Sequence, residues 1–428
     1  MNAKVAIKSE SITSFGGIFY VMDEFDKILC RKIDSELGMR CKYYGYQYSE
    51  IFRSLFSIYL CGGNSIEDIN AYLKEDLSKR PFTRIPSSDT ILKGIRELST
   101  PNIEYISDRG NSYSFNPALK LNDLMVKLLL ATGQLEKDTE YTVDFDHQFI
   151  ETEKFDSRRT YKHFKGYGPG VSTINGLPVH IENRDGNANV RFMQEDTLER
   201  MFTNLEANDV KVKRFRADCG SYTEKVINCA LKYSDHIYIR AERCASLYGK
   251  IKKHEDWEKV EINYGQYEVR SFPFDSFDGI KHCRLVVQRQ RKKADEELDL
   301  FDGEYTYRCI LTNDWEMTDK EIILFYNERG TCERVFDQMN NDFGWNALPK
   351  SFMNENAVFL LMTAMAHNFY QYLIRRPLMK RFGVEKTSRV KKFIFRFIAV
   401  PAKWIKTARQ YILNYYTDKP YDILFALE

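Results

Sequence analysis

The chain has 428 residues, 43% hydrophobic and 14% aromatic, which excludes a disordered protein and leaves room for roughly two to four structural units. A net charge of +2 excludes polyanion binding through bulk charge, so any nucleic-acid surface must come from local clustering. Nine scattered cysteines without a CxxC pair exclude a zinc finger and a disulfide framework, and fit a reduced, cytoplasmic compartment.

The N-terminal stretch MNAKVAIKSESITSFGG lacks the compact apolar run of a signal peptide. Residues 1–125 read as mostly helical. YSEIFRSLFSIYLCGGNSIEDINAYLK carries apolar residues at helical spacing, broken at Gly62 and Gly63. IPSSDTILKGIREL (85–98) predicts a capped amphipathic helix bearing Lys93 and Arg96. Helix, glycine turn and basic helix fit a helix-turn-helix, and equally a bundle with a solvated basic face.

From about residue 140 the period drops to two. EYTVDFDHQFIET, GVSTINGLPVHIE, VKRFRADCG and HIYIRAE predict strands, with helices QEDTLERMFTNLEAN and SYTEKVINCALKYS between them. The pattern implies a mixed α/β sheet. Residues 245–312 hold three further alternating stretches, a β-rich insertion that includes the basic run QRQRKK (288–293). Helices return at a capping box, Thr318 with Glu321, and are expected to dominate to the end. The apolar stretch 356–374 is interrupted by His367, Asn368 and Gln371, so it predicts a core helix and no membrane span. The glycine-rich turns at 165–176 and 182–190 lack nucleotide-loop spacing, and no ATP site is expected.

Four acidic residues draw notice. Asp144 and Asp146 share one face of a strand that otherwise reads as central, where a carboxylate is costly unless paired or bound to metal. Asp218 ends a strand and precedes a turn, a position that suits either a ligand or a helix cap. Glu333 follows Gly330 in the first turn of a helix expected to start near Thr331, where the helix dipole alone favours an acid. Two strand-borne aspartates and one helix-borne glutamate can converge at one end of a sheet. Hard oxygen donors suit Mg2+ or Mn2+, and two such ions would clamp an in-line phosphoryl displacement.

TVDFDHQ, FRADCGSY and YNERGTCERVF resemble the catalytic blocks of bacterial DDE transposases with a ribonuclease H-like core. The sequence is most similar to insertion-sequence transposases with the YREK signature, in the thirteen-eighty branch related to the insertion-sequence-four group. The resemblance covers roughly residues 140–375. It implies that Asp146, Asp218 and Glu333 are catalytic and hold the metal, as two ions, with Asp144 the alternative or additional first aspartate. It places Tyr326 and Arg329 on the signature's tyrosine and arginine. The signature's lysine falls on Asn340, a departure for which Lys350 or the C-terminal region could substitute. His147 is a possible neighbour of the site, though a lone histidine also fits a structural role. An insertion-domain tryptophan stacks on a flipped base in hairpin-forming relatives, which makes Trp257 and Trp315 candidates; each also fits a core position.

Between Arg375 and Arg409 basic residues cluster with aromatics and a single acid, Glu385, the footprint of phosphate binding, with Lys391 and Lys392 as candidate contacts. The expected layout is a helical N-terminal DNA-binding domain (1–125), a core in two parts (126–244 and 313–375) around the β-rich insertion (245–312), and a basic helical C-terminal region (376–428). The resemblance further implies double-stranded DNA with terminal inverted repeats as partner, a homodimer in the DNA complex, no membrane, and a bacterial cytoplasm, nucleoid-associated when DNA-bound. The expected activity is metal-dependent DNA cleavage and strand transfer. The rival readings are a metal-dependent nuclease without strand transfer and a catalytically decayed DNA-binding protein, for which Asn340 is the hint.

Overall fold

The computed structural model describes residues 5–7, 10–242, 245–274, 277–292 and 304–424. Lys293, the last residue of the basic run at 288–293, lies outside them. The chain folds into two compact units. One comprises residues 1–100, 127–134 and 337–428, the other residues 101–126 and 135–336.

The second unit is built on one sheet of eleven strands. Its strands are β1 (Ile103–Ile106), β2 (Ser112–Asn116), β3 (Glu140–His147), β7 (Gly170–Ile174), β8 (Leu177–Arg184), β9 (Lys211–Ala217), β10 (His236–Arg240), β11 (Glu258–Ile262), β12 (Gly265–Pro273), β13 (Arg284–Arg291) and β14 (Tyr305–Thr312). Short strands β4 (Ile150–Glu151), β5 (Arg158–Arg159) and β6 (Lys165–Tyr167) form a separate small sheet between β3 and β7. The large sheet runs β1-β2-β8-β7-β3-β9-β10-β14-β13-β12-β11. Strands β3, β9 and β10 are parallel; β7 is antiparallel to both β3 and β8. The five-strand centre, β8-β7-β3-β9-β10, has the order and directions of a ribonuclease H-like core, as the resemblance implied.

The alternation that predicted β3 explains its place. Val143 and Phe145 are fully buried, and with Phe215 and Ile237 on the neighbouring strands they build the core. The helix Gln194–Ala207 covers the sheet through Phe202, whose ring lies 5.6 Å from that of Phe215. The capping box on Thr318 and Glu321 is present and opens the helix Asp319–Asn327. That helix buries Ile322, Ile323 and Tyr326 in a cluster with Tyr238, Val260, Ile262, Val269, Val286 and Ile310.

Strands from the expected β-rich insertion supply five of the nine residues of that cluster. Its strands β11–β14 do not fold apart: β14 pairs antiparallel with β10, so they extend the core sheet. At the other edge β2 pairs with β8, which draws residues 101–126 into the same unit and away from the N-terminal helices.

In the first unit, the apolar stretch forms the helix Met353–Arg375, buried along nearly its whole length. Its Phe369 ring packs with those of Phe25 and Phe56 at 5.8 and 6.2 Å, and the Trp345 indole donates to Thr363 Oγ1 at 3.0 Å. Among the described residues no helix is long and apolar enough to cross a membrane. The basic helix is present at Ser88–Leu98, capped by Ser87. It is not joined by one turn to the helix Tyr48–Leu60, because a π-helical turn and a short helix, Ile69–Leu77, and a stretch with Pro81 and Pro86 intervene. A compact helix-turn-helix needs a turn of about 3–4 residues. The C-terminal region also departs from the helical expectation. Helical turns break off at Ile398; Pro401 follows, and alternating bulky residues form a hairpin of β15 (Ala402–Lys406) and β16 (Tyr411–Tyr415) before a short 3-10 turn, Tyr421–Leu424.

Candidate active site

Parallel register places the first two acids. Phe145 of β3 pairs with Ala217 of β9, so one residue further Asp146 stands beside Asp218 near the carboxyl ends of both strands. Ala217 in turn pairs with Ile239, which sets Arg240 on the other side of Asp218. Asp218 also caps the 3-10 turn Cys219–Ser221, its Oδ1 accepting from the Gly220 amide at 3.0 Å. The cap that the sequence offered for Asp218 is present. Burial, and then the charge of Asp146, push the Asp218 pKa above the ordinary carboxylate value, against the pull of Arg329, the Gly220 amide and Arg240.

The tyrosine and arginine come from the facing helical run. The sequence suggested a break at Gly330, but the dihedrals stay right-handed from Asn327 through a 3-10 turn, Glu328–Gly330, into the helix Thr331–Asp342. Tyr326, Arg329 and Glu333, at i, i+3 and i+7, therefore follow one stripe. Arg329 Nη1 donates to Asp146 Oδ2 at 2.8 Å, in a pair whose side chains are 14% and 18% exposed. The Tyr326 hydroxyl donates to the Ala217 carbonyl at 3.2 Å, and burial pushes its pKa up against Arg329 and Arg240. The buried Nε of Arg329 has no hydrogen-bond partner among the described residues. It is an open donor beside the acids.

Asp144 does something else. It is 3% exposed and held by Arg216, Nε to Oδ1 at 2.6 Å and Nη2 to Oδ2 at 2.9 Å. The same guanidinium donates to the Phe325 carbonyl. This pair fastens β3 and β9 to the last turn of the helix that carries Tyr326, where a cation also opposes the helix dipole. Both oxygens of Asp144 are engaged, so it is not poised as a ligand. His147 faces away from the acids; its Nε2 lies 2.8 Å from Arg184 Nη1, and burial together with that charge lowers its pKa.

The expected third acid is not assembled with the other two. Glu333 is exposed, and among the described residues no group of three His, Cys, Asp or Glu side chains is close enough to hold a metal. The physical reason is charge. Carboxylates of like charge repel one another, and Asp146 is paired with the Arg329 guanidinium. The donor set that is assembled, two hard carboxylates in mutual repulsion, fits a divalent cation.

The remaining candidates are scattered. Asn340, seven residues past Glu333 on the same helix, is half-buried. Lys350 cannot substitute for the missing lysine at a DNA surface, being 8% exposed and 3.5 Å from Glu355. Lys93, Lys391 and Lys392 are exposed, with Lys392 3.7 Å from Glu385, while Arg96 is held by Glu355 at 2.8 Å. Trp315 is not a core residue; it is 56% exposed, its indole donating to the His282 carbonyl. Trp257 is half-buried, with the Arg289 guanidinium 4.0 Å over its ring. Arg216 and Arg240 were missed from sequence. A signal existed for the first, since Arg214 and Arg216 alternate within a central strand and such charges need partners.

A family model described as "Transposase DDE domain group 1" matches residues 2–427. Of solved structures, a piggyBac transposase synaptic complex with hairpin DNA is similar over 90% of this chain and 84% of its own, at 11% identity and TM-score 0.36. A Drosophila P element transposase strand transfer complex is similar over 88% of this chain and 96% of its own, at 12% identity and TM-score 0.25. No curated protein matches the chain.

Proposed function

Because the chain belongs to the transposase DDE domain group 1 family and is a DDE transposase, we propose that its DNA chemistry takes place at Asp146 and Asp218 with Glu333 as third acid. The observation that supports this most is the parallel register that sets Asp146 beside Asp218, with Arg329 bound to the first of them. Asp146, Asp218 and Glu333 would hold Mg2+ or Mn2+, as a pair of ions. A bound divalent cation supplies polarisation of the scissile phosphodiester and of the attacking water.

The chain's own groups do the rest. Arg329 offers a planar fork and an unpartnered Nε–H to a phosphate oxygen once it leaves Asp146. Tyr326 fixes the facing helix to the end of β9, and the Asp144–Arg216 pair holds that helix in register. Catalysis on this account is positioning and charge neutralisation. Water attacks the phosphodiester at a transposon end, and the freed 3′-hydroxyl attacks a second phosphodiester, without a covalent protein–DNA bond. Double-stranded DNA with terminal inverted repeats is the partner, bound by a homodimer in the bacterial cytoplasm and contacted by Lys93, Lys391 and Lys392. The tyrosine, arginine and glutamate of an insertion-sequence YREK signature are at Tyr326, Arg329 and Glu333, and Asn340 stands in its fourth place.

The test is cleavage of a duplex carrying the element's own terminal repeat. Asp218→Asn keeps the shape and the cap but removes a ligand charge, so it should abolish magnesium-dependent cleavage and leave binding largely intact. Cleavage at near wild-type rate would remove Asp218 from the site. Strand transfer by the wild type separates a transposition reaction from simple nuclease action, and a wild type that binds without cutting would mark a decayed copy.

A further inference from the structure

The segment between β3 and β7 leaves the sheet after His147, one residue past Asp146, and returns at Gly170, which pairs with His147. Topology alone therefore stands it at the carboxyl end of β3, next to the acidic pair. It is fastened there by Tyr167, fully buried and bridged to Asp185. Between β5 and β6 the chain makes a tight turn closed by the Thr160 amide donating to the Phe164 carbonyl at 2.7 Å. Tyr161 projects from this turn with 68% of its surface exposed. The Phe149 ring backs it at 5.0 Å, nearly perpendicular at 87°, and the Lys162 ammonium lies over both rings at 5.2 and 6.0 Å. The Tyr161 phenol feels its neighbours: burial first, then the charges of Asp218 and Asp146, push its pKa up. Arg159 on β5 adds a further exposed cation to the turn.

An exposed aromatic ring beside two carboxylates, flanked by cations, suits a ligand that is anionic along its length and carries flat rings. That is a nucleic-acid strand. In a paired duplex the base faces are already stacked on one another, so the ring can engage only a base that has left its pair. We propose that Tyr161, Phe149 and Lys162 form a ledge that docks an unpaired nucleotide of the DNA strand lying across Asp146 and Asp218, Tyr161 stacking on the base and Lys162 with Arg159 meeting the backbone. The proposal rests on the carboxylate pair being the cleavage site.

The test uses the full chain in EDTA with two labelled probes, a mixed-sequence single-stranded DNA 20-mer containing 2-aminopurine and the blunt duplex of the same sequence. Tyr161→Ala should weaken single-strand binding about 5- to 150-fold, the range for loss of one base–aromatic stack, and abolish the 2-aminopurine fluorescence change. Tyr161→Phe should stay within about twofold of wild type, and duplex affinity should not move for either variant, since stacking needs an open base. Unchanged single-strand affinity in Tyr161→Ala, or an equal loss for duplex, overturns the ledge. If Asp218→Asn is inactive in that case, the carboxylate reading stands without it. An Asp218→Asn that still cleaves removes the underlying reading, whatever Tyr161 does.

Discussion

Replacing Arg329 by alanine removes the guanidinium bonded to Asp146 and leaves the two neighbouring carboxylates with Arg240, beside Asp218, as partial compensation. Removing one partner of a fully buried ion pair costs about 3–5 kcal/mol. Here the side chains are 14% and 18% exposed, so water screens part of that, and about 2–3 kcal/mol is expected. For a unit of this size, each kcal/mol shifts Tm by about 2–4 °C, so the metal-free variant should melt about 5–10 °C below wild type. A divalent cation would then do what the guanidinium did. At about a hundred times its Kd a ligand adds roughly 2.7 kcal/mol, enough to close the gap. Wild type should gain less from magnesium, because there the ion must displace Arg329 from Asp146. Calorimetric melting in EDTA and in a magnesium series measures both quantities. Equal melting of variant and wild type in EDTA would show that the ion pair stabilises nothing. A gap that persists in saturating magnesium or manganese would refute the idea that guanidinium and metal compete for one place.

The two strand aspartates should fail differently: Asp144→Asn breaks the bidentate Arg216 pair and should cost about 3–5 kcal/mol of stability, whereas Asp146→Asn should abolish cleavage in a well-folded protein. A stable Asp144→Asn, or an active Asp146→Asn, would reverse these roles. Asp185 is buried, and desolvation lifts its pKa to about 6. A carboxyl raised on folding destabilises the native state as it ionises, so its penalty is absent below about pH 4, grows to pH 6 and is complete above, up to roughly 3 kcal/mol. Asp185→Asn, which can still accept from the Ser114 amide, should therefore be the more stable protein at pH 8 and equal to wild type near pH 4; denaturant melts that differ by the same amount at both values would discard this account. Asn340→Lys should tighten binding to transposon-end DNA and steepen its log–log salt dependence by about one. An unchanged slope in salt titrations would place that face away from DNA.

Sequence periodicity found β3, β7 to β10 and the helices between them because those elements bury one face and the alternation records it. It also drew notice to Asp144 and Asp146, since a carboxylate inside a central strand is conspicuous. It left Asp144 and Asp146 undecided, because identical residues two apart on one face differ only in what lies opposite them. Arg216 opposite the first and Arg329 opposite the second come from strands and helices far along the chain. The same holds for β11–β14: alternation located the strands, but not that β14 would pair with β10 and make them part of the core sheet. Tyr161 gave no periodic signal at all. Only the return of the chain to Gly170 opposite His147 stands it beside the acids.

The two units are interleaved along the chain, the first being made from residues 1–100, 127–134 and 337–428. During synthesis this imposes an order. The sheet unit is complete once residue 336 has left the ribosome, while the first hundred residues must wait for partners such as the helix Met353–Arg375. At about 5–20 residues per second that wait lasts on the order of 10–50 s. Through it, side chains such as Phe25 and Phe56, which end up against Phe369, have no native partner from the C-terminal segment. The N-terminal helices are thus a nascent-chain segment in need of protection from aggregation, and fragments cut near residue 100 or 337 would expose that same surface permanently.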